Sequence, residues 1–390
     1  MRILIFTEVI APYVCGVSSY VDVLRKGLEK LSHEVVIVTS SLEAEKPYYK
    51  NHIIRCPAKK VNNKYGRECR KFSDENVIQF ICALKPDIVH IHTDTKIGYM
   101  GLEVADHAKV PVVFTIHDYF LDRFAAENRI VWKVKTFFEK RHFVDMLDNA
   151  DAVTSSCSRA EMFVRRVKRR NEVKVVPCAT DTELFSYRRY SERDVGKIRE
   201  KLGLDRNSVA AVFAGSLSVE KNLEFALSAF SKYIKKTDNV QFLIVGDGTE
   251  TEYLKELCVK LKIEDMVIFK SSVPNAEMPA IYSACDMYVC SYDDGLMSMS
   301  FGEAMSCGLP VMVKEDNENI AYSMVEDGVN GFVYKNEEEF ANYLKTFSQL
   351  SFKEKRYIRS TVRKTVLKDS CTSMAEEYIK IYNSIISENE

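Results

Sequence analysis

A chain of 390 residues exceeds one ordinary core and suits two domains of roughly 150–200 residues each. With 46% hydrophobic and 28% charged residues it has the composition of a globular protein, and no stretch approaches the ~20 apolar residues of a membrane span. The net charge of −1 conceals a basic first half: residues 1–190 hold 31 Lys and Arg against 24 Asp and Glu, which either suits anionic partners or reflects drift on solvated faces.

Residues 2–7 read as a buried strand whose apolar run is too short for a secretory signal, so a cytoplasmic location is expected. A loop through Pro12 and Gly16 leads into a helix over about 18–31, with Val21, Leu24, Leu28 and Leu31 on one face. Further strands are expected at 35–38, 87–92, 110–115, 152–155 and 173–176, with a helix near 98–108. Residues 120–150 read as helical and aromatic-rich, and 40–75 give no clear pattern. From residue 209 the rhythm restarts, with strands at 210–214, 241–245, 267–269, 287–290 and 310–313. Helices at 221–233, 250–261, 279–284 and 301–307 fall between them, and 352–386 read as helix alone. Short apolar strands alternating with amphipathic helices mean parallel sheets covered on both faces. The expected fold is therefore α/β, with two doubly wound Rossmann-like domains over 1–187 and 188–365, a polar linker around 186–194 and a helical end at 366–390. Ligands in such sheets bind at the carboxyl ends of the strands, so a cleft between the domains is the expected site.

Three loops at strand ends contain the informative residues. Gly16 and Val17 lie where the first loop opens a helix, so backbone amides there can approach an anion or a polar sugar group, or form a plain turn. His117 and Asp118 end an apolar strand, where the histidine can face a ligand hydroxyl or simply cap the core. His90 and His92 point to one face of a neighbouring strand, but no third ligand is spaced to complete a metal set, and none is expected. The eleven cysteines are scattered without a CxxC pair and read as reduced thiols. In the second half, Gly215 and Ser216 lead to Lys221 at a helix start, where a cation opposes the helix dipole unless an anion such as a diphosphate sits between them. Gly246 ends the next strand, and the loop from Ser291 through Asp294, Gly295, Leu296, Met297, Ser298 and Met299 leads to Glu303.

Together these blocks resemble retaining GT-B glycosyltransferases of family 4 over nearly the full length. The specific pieces are Glu303-Ala-Met-Ser-Cys-Gly-Leu-Pro-Val, Val325-Glu-Asp-Gly-Val-Asn-Gly-Phe-Val, Gly215-Ser-Leu-Ser-Val-Glu-Lys-Asn and Pro177-Cys-Ala-Thr-Asp-Thr-Glu-Leu-Phe. Asp87-Ile-Val-His-Ile-His-Thr and Thr115-Ile-His-Asp extend the likeness into the first half, and within the family the chain is similar to the membrane-surface enzymes that glucosylate diacylglycerol. The resemblance implies that a hexose passes from a nucleotide sugar, UDP-linked by expectation, to a membrane lipid or glycan hydroxyl, with neither metal nor cofactor. It implies roles for Gly16 beside the donor phosphates, His117 at the transferring sugar, Lys221 at the diphosphate and Glu303 at the ribose. It also implies that the C-terminal helix crosses back to the first domain. Val17, Asp118, Gly215, Ser216, Gly246 and residues 295–299 complete the expected substrate-binding set.

Two positions depart from the family pattern. Ser216 stands where an arginine is usual, removing a charge-assisted contact on the order of 10²–10³ in rate. Gly295 stands where the first glutamate of a pair is usual, with Asp294 one residue early as the candidate acid. A copy that binds a sugar or partner without turnover, and a nucleotide-sugar epimerase or hydrolase, are the rival readings.

Residues 129–143 mix the only tryptophan with three phenylalanines and five Lys or Arg, and residues 165–170 add five cations. Such basic, aromatic helices either dock on an anionic leaflet, each cation contributing about 1 kcal/mol, or present a solvated face. Peripheral attachment to the inner face of the cell membrane is the corresponding expectation. No nucleic-acid module is recognisable, and nucleic acid is not an expected partner.

Overall fold

The computed structural model describes residues 1–13, 15–61, 65–70, 75–117, 140–156, 160, 164–165, 172–291, 299–315 and 324–389. The chain divides into two compact units, Met1–Ala179 with Cys371–Glu390, and Thr180–Ser370.

The first unit is built on β1 (Arg2–Thr7), β2 (Glu34–Ser41), β3 (Tyr48–Lys50), β4 (Ile53–Lys60) and β5 (Arg67–Cys69). It continues with β6 (Ile88–Ile91), β7 (Val112–Ile116), β8 (Ala152–Ser155) and β9 (Val173–Val175). Their order is β3-β4-β2-β1-β6-β7-β8-β9, with β5 paired to β4. Pairing is parallel except where β3 and β5 run antiparallel to β4. The helices α1 (Gly16–Lys30), α2 (Glu75–Cys82) and α3 (Lys96–Ala108) supply the crossovers. Residues Ile3 to Phe6 of β1 are all 0% exposed, as expected for a central strand covered on both faces. Within residues 40–75, where no pattern is readable, lie β3 to β5: β3 is three exposed residues and β5 only three, too short for alternation to register.

The second unit opens with α4 (Glu192–Leu202), capped by Ser191, whose hydroxyl accepts from the Asp194 amide while the Asp194 carboxylate accepts from the Ser191 amide. Its strands are β10 (Val209–Ala214), β11 (Val240–Val245), β12 (Val267–Lys270), β13 (Met287–Cys290), β14 (Val311–Lys314) and β15 (Gly331–Tyr334). They form one parallel sheet in the order β12-β11-β10-β13-β14-β15. Around it lie α5 (Leu223–Tyr233), α6 (Thr251–Leu261), α7 (Met278–Ala284), α8 (Met299–Ser306), α9 (Glu337–Gln349) and α10 (Phe352–Val366). The helix expected from residue 221 starts only at Leu223. Val219–Lys221 forms a 3-10 turn, and Asn222 at φ 47° sits in the left-handed region, which breaks the path between the two. Among the described residues, no helix is long and apolar enough to cross a membrane.

The last helix, α11 (Cys371–Asn389), belongs to the first unit and packs along α1. The approach is close because of Gly27, where an added Cβ would overlap the Cys371 carbonyl oxygen and press on the Ala375 methyl. Backbone at a helix start cannot retreat as a flexible side chain can. Gly27→Ala should therefore lower stability by about 1–3 kcal/mol despite alanine's better helix propensity, as read from denaturant unfolding.

Candidate functional site

In both sheets the strand order reverses beside the central strand, between β1 and β6 and between β10 and β13. Open α/β sheets bind ligands at the carboxyl ends of such strands, where the two following loops diverge to opposite faces.

In the second unit, backbone hydrogen bonds join the segment after β10 to the end of β11 and the loop beyond it. The Gly215 amide donates to the Val245 carbonyl at 3.0 Å and the Leu217 amide to the Asp247 carbonyl at 3.1 Å. Gly215 at φ 156° and Gly246 at φ 150° hold backbone conformations that side chains rarely adopt, and a Cβ on Gly246 would overlap the Gly215 carbonyl. Gly215 and Ser216 are exposed, so this surface presents main chain and one small hydroxyl. The other side of the switch is tied down by hydroxyls. Ser300, in the first turn of α8, donates to the Ala214 carbonyl at 2.8 Å, and the Tyr288 hydroxyl donates to the same carbonyl at 3.2 Å. Buried Ser291, just past β13, donates to the Lys221 carbonyl at 2.7 Å and so fixes the half-buried lysine's backbone to the switch point. Ser291, Ser300 and Tyr288 are the anchors that sequence reasoning missed, since their partners are main-chain atoms far along the chain.

Glu303 lies one turn beyond Ser300 and is only 5% exposed. Burial pushes its carboxyl up to about 7, against a smaller opposing pull from the side chains of Asn275 and Tyr282. Met299 is the first residue of α8 and half-buried. Asp294, Gly295, Leu296, Met297 and Ser298 lie outside the described residues.

In the first unit, Gly16 opens α1 and is exposed, and a Cβ there would meet nothing within 4 Å. The fold itself does not require that glycine. Val17, by contrast, buries its side chain with Val9 and Tyr65, leaving its amide as the group that could serve a ligand. Glu8, at the end of β1, is fully buried and accepts from the Thr95 hydroxyl at 2.7 Å and the Cys69 amide at 3.0 Å. Burial still raises its carboxyl above the ordinary range.

His117 follows β7 and is half-buried. Its Nε2 lies 2.9 Å from Nδ1 of His92, and the Tyr20 ring meets it edge-on with centroids 4.8 Å apart. His90 is fully buried between the Tyr382 hydroxyl at 2.7 Å and the Thr115 hydroxyl at 2.6 Å. Burial takes both His90 and His92 well below the usual histidine range, so both are neutral. The third histidine that spacing does not supply is thus brought in by the pairing of β6 with β7. Even so, among the described residues no group of His, Cys, Asp and Glu is arranged to hold a metal. A small depression is lined by Tyr65, His92, Asp94, Thr115, His117 and Phe143. Asp118 lies outside the described residues.

Residues 14–184 match the family model "Glycosyltransferase Family 4", and residues 194–365 match "Glycosyl transferases group 1". The chain belongs to glycosyltransferase family 4. Its two parallel-sheet units are those of the GT-B fold. Among its relatives, the alpha-monoglucosyldiacylglycerol synthase of Acholeplasma laidlawii is 28% identical over 88% of this chain and 87% of that protein. The synthase of the same name from Streptococcus pneumoniae is 25% identical over 87% of this chain and 77% of its own length. HepE of Anabaena, solved in complex with UDP, superposes with a TM-score of 0.73 at 20% identity, covering 98% of this chain and 100% of that one.

The Glu303 environment gives this glycosyltransferase a measurable signature. A carboxyl raised from 4.5 to about 7 means the folded chain holds a proton that the unfolded chain has released across that window. Stability should fall by roughly 3 kcal/mol as pH rises through the window and level off above it. Glu303→Gln should remove that slope, so its stability relative to the parent improves from about pH 5 to about pH 8 in denaturant unfolding.

Proposed function

We propose that this glycosyltransferase moves a hexose, with retention and without a metal, from a UDP-sugar to the hydroxyl of a membrane lipid. The observation that carries the reading is Lys221, whose backbone is fixed by Ser291 at the switch point beside the glycine-built backbone surface of Gly215 and Gly246. A diphosphate suits that arrangement, because amides can approach it closely where no Cβ intervenes and an ammonium group neutralises it. Glu303 would hold the ribose hydroxyls, and His117 would contact the sugar. The names of the two diacylglycerol-linked relatives support a lipid acceptor and a glucosyl donor.

In the proposed step the bond between the anomeric carbon and the diphosphate oxygen breaks, and the acceptor oxygen bonds to that carbon from the same face. The acceptor proton passes to the departing diphosphate. No side-chain nucleophile takes part. Lys221 stabilises the charge that grows on the leaving group, which is where a preorganised cation counts most. With Ser216 in place of an arginine, Lys221 bears more of that task alone.

Incubating the chain with a panel of UDP- and GDP-sugars, with and without lipid vesicles, tests the reading through nucleotide release. Release that requires a lipid acceptor is expected; acceptor-free release would mean hydrolysis, and absence of donor binding would mean a non-catalytic copy. Lys221→Ala should lower turnover by about 100-fold or more while leaving the melting temperature in place. Gly16→Ala, at a position the fold leaves open, should keep stability yet slow transfer.

Docking of the basic half on a leaflet is part of the same proposal. Neutralising Arg165, Arg166, Arg169 and Arg170 should weaken partitioning onto anionic vesicles, most visibly at low salt. Unchanged partitioning in co-sedimentation would remove this part of the proposal.

A further inference from the structure

We infer that His92 is a positioning residue that sets the tautomer of His117, fixing the proton of His117 on Nδ1. The inference rests on the sugar-contacting role proposed above only for its catalytic consequence; the tautomer itself follows from geometry.

The Nδ1 atom of His92 and the Nε2 atom of His117 are 2.9 Å apart, so one nitrogen donates and the other accepts. His92 is 2% exposed and neutral, and therefore has a single ring proton to place. Its other nitrogen, Nε2, is buried with no hydrogen-bond partner. If His117 donated from Nε2, the His92 proton would sit on its own Nε2 as a buried N–H without an acceptor, a state that folded proteins rarely tolerate. If His92 donates from Nδ1, the hydrogen bond is kept and only a lone pair is left unmatched. The second arrangement is the favoured one. It makes Nε2 of His117 the acceptor and leaves the proton of His117 on Nδ1.

A doubly protonated His117 would also have to donate through Nε2 and would strand the same proton on His92. The contact therefore fixes the orientation of the His117 ring as well as its acceptor nitrogen. His92 cannot easily swing away, because its amide donates to the Phe6 carbonyl at 2.9 Å and its ring lies against His90 with centroids 4.1 Å apart. His117 then meets its partners through Nδ1 as a hydrogen-bond donor, suited to the oxygen of a sugar hydroxyl.

Long-range proton–nitrogen correlation spectra of the full chain, labelled with ¹⁵N-histidine, test this directly, with H117Q used to assign His117. The expected spectrum shows His117 protonated on Nδ1 and unprotonated on Nε2. H92N keeps an N–H donor near the Nδ1 position and should keep that tautomer, with turnover close to the parent's. H92L should shift His117 towards the Nε2–H form and lower kcat by roughly tenfold with little change in donor KM. Parent His117 protonated on Nε2, or a tautomer unmoved in folded H92L, would overturn the inference. If H92L fails to melt cooperatively, the parent and H92N spectra decide it alone. Full turnover in H117A would instead overturn the proposed sugar contact and leave the tautomer assignment standing.

Discussion

A parallel strand covered on both faces spends its amides and carbonyls on its neighbours and its side chains on the core. What it can offer a ligand lies past its carboxyl end, where the chain has left the ladder and the next helix has not begun. Both units of this glycosyltransferase obey that constraint. Ala210 to Val212 and Ile3 to Phe6 are wholly buried, whereas Gly215, Ser216, Gly16 and His117 come within a few residues or one loop of a strand end and are exposed or half-exposed. The groups open to a ligand are confined to these edges because the sheet leaves nowhere else for them.

The two edges meet the constraint by different means. In the second unit the surface is main chain: glycines bring the loops after β10 and β11 into contact, and the hydroxyls of Ser291, Ser300 and Tyr288 bind carbonyls on the opposite side of the switch. Such a surface is rigid because each loop satisfies the other's polar groups, and it suits a ligand recognised by charge and shape. In the first unit the edge is made of rings, with Tyr20, His92 and His117 in contact, and it suits recognition by directed hydrogen bonds.

How much of this the sequence makes legible follows from the range of each interaction. The strands at 2–7, 209–214, 240–245 and 287–290 are apolar runs, and the glycine, lysine and glutamate motifs sit at fixed offsets from them, so strand, loop and Lys221 can be placed without coordinates. The edge strands β3 and β5 escape notice because three residues are too few to show either a run or an alternation. The His92–His117 contact is also illegible, since 25 residues separate the two rings and only the β6–β7 register brings them together. Lys221 illustrates an intermediate case. Its loop is evident, but the 3-10 turn that ends at it depends on Asn222 adopting a left-handed conformation, which asparagine tolerates without announcing.

The C-terminal helix α11 shows how a distant element can bear on the ring-built edge. Thr115 and Thr154 are fully buried on β7 and β8, and hydroxyls in that position must find partners or cost about 1–3 kcal/mol each. They pair with one another at 2.6 Å, and both lie 3.1 Å from the Tyr378 hydroxyl of α11, which in turn reaches Tyr20 at 2.7 Å. One turn along, Tyr382 pairs with His90, whose ring lies against His92. An apolar helix face could slide or rotate along α1 at little cost. A helix whose two tyrosines must each meet a particular hydroxyl or imidazole has one register only. The polar contacts thus specify where α11 sits, and through Tyr20 and His90 that placement extends to the rings around His117. The last 20 residues of the chain are in this sense part of the site's frame, although none of them is among the residues expected to touch a substrate.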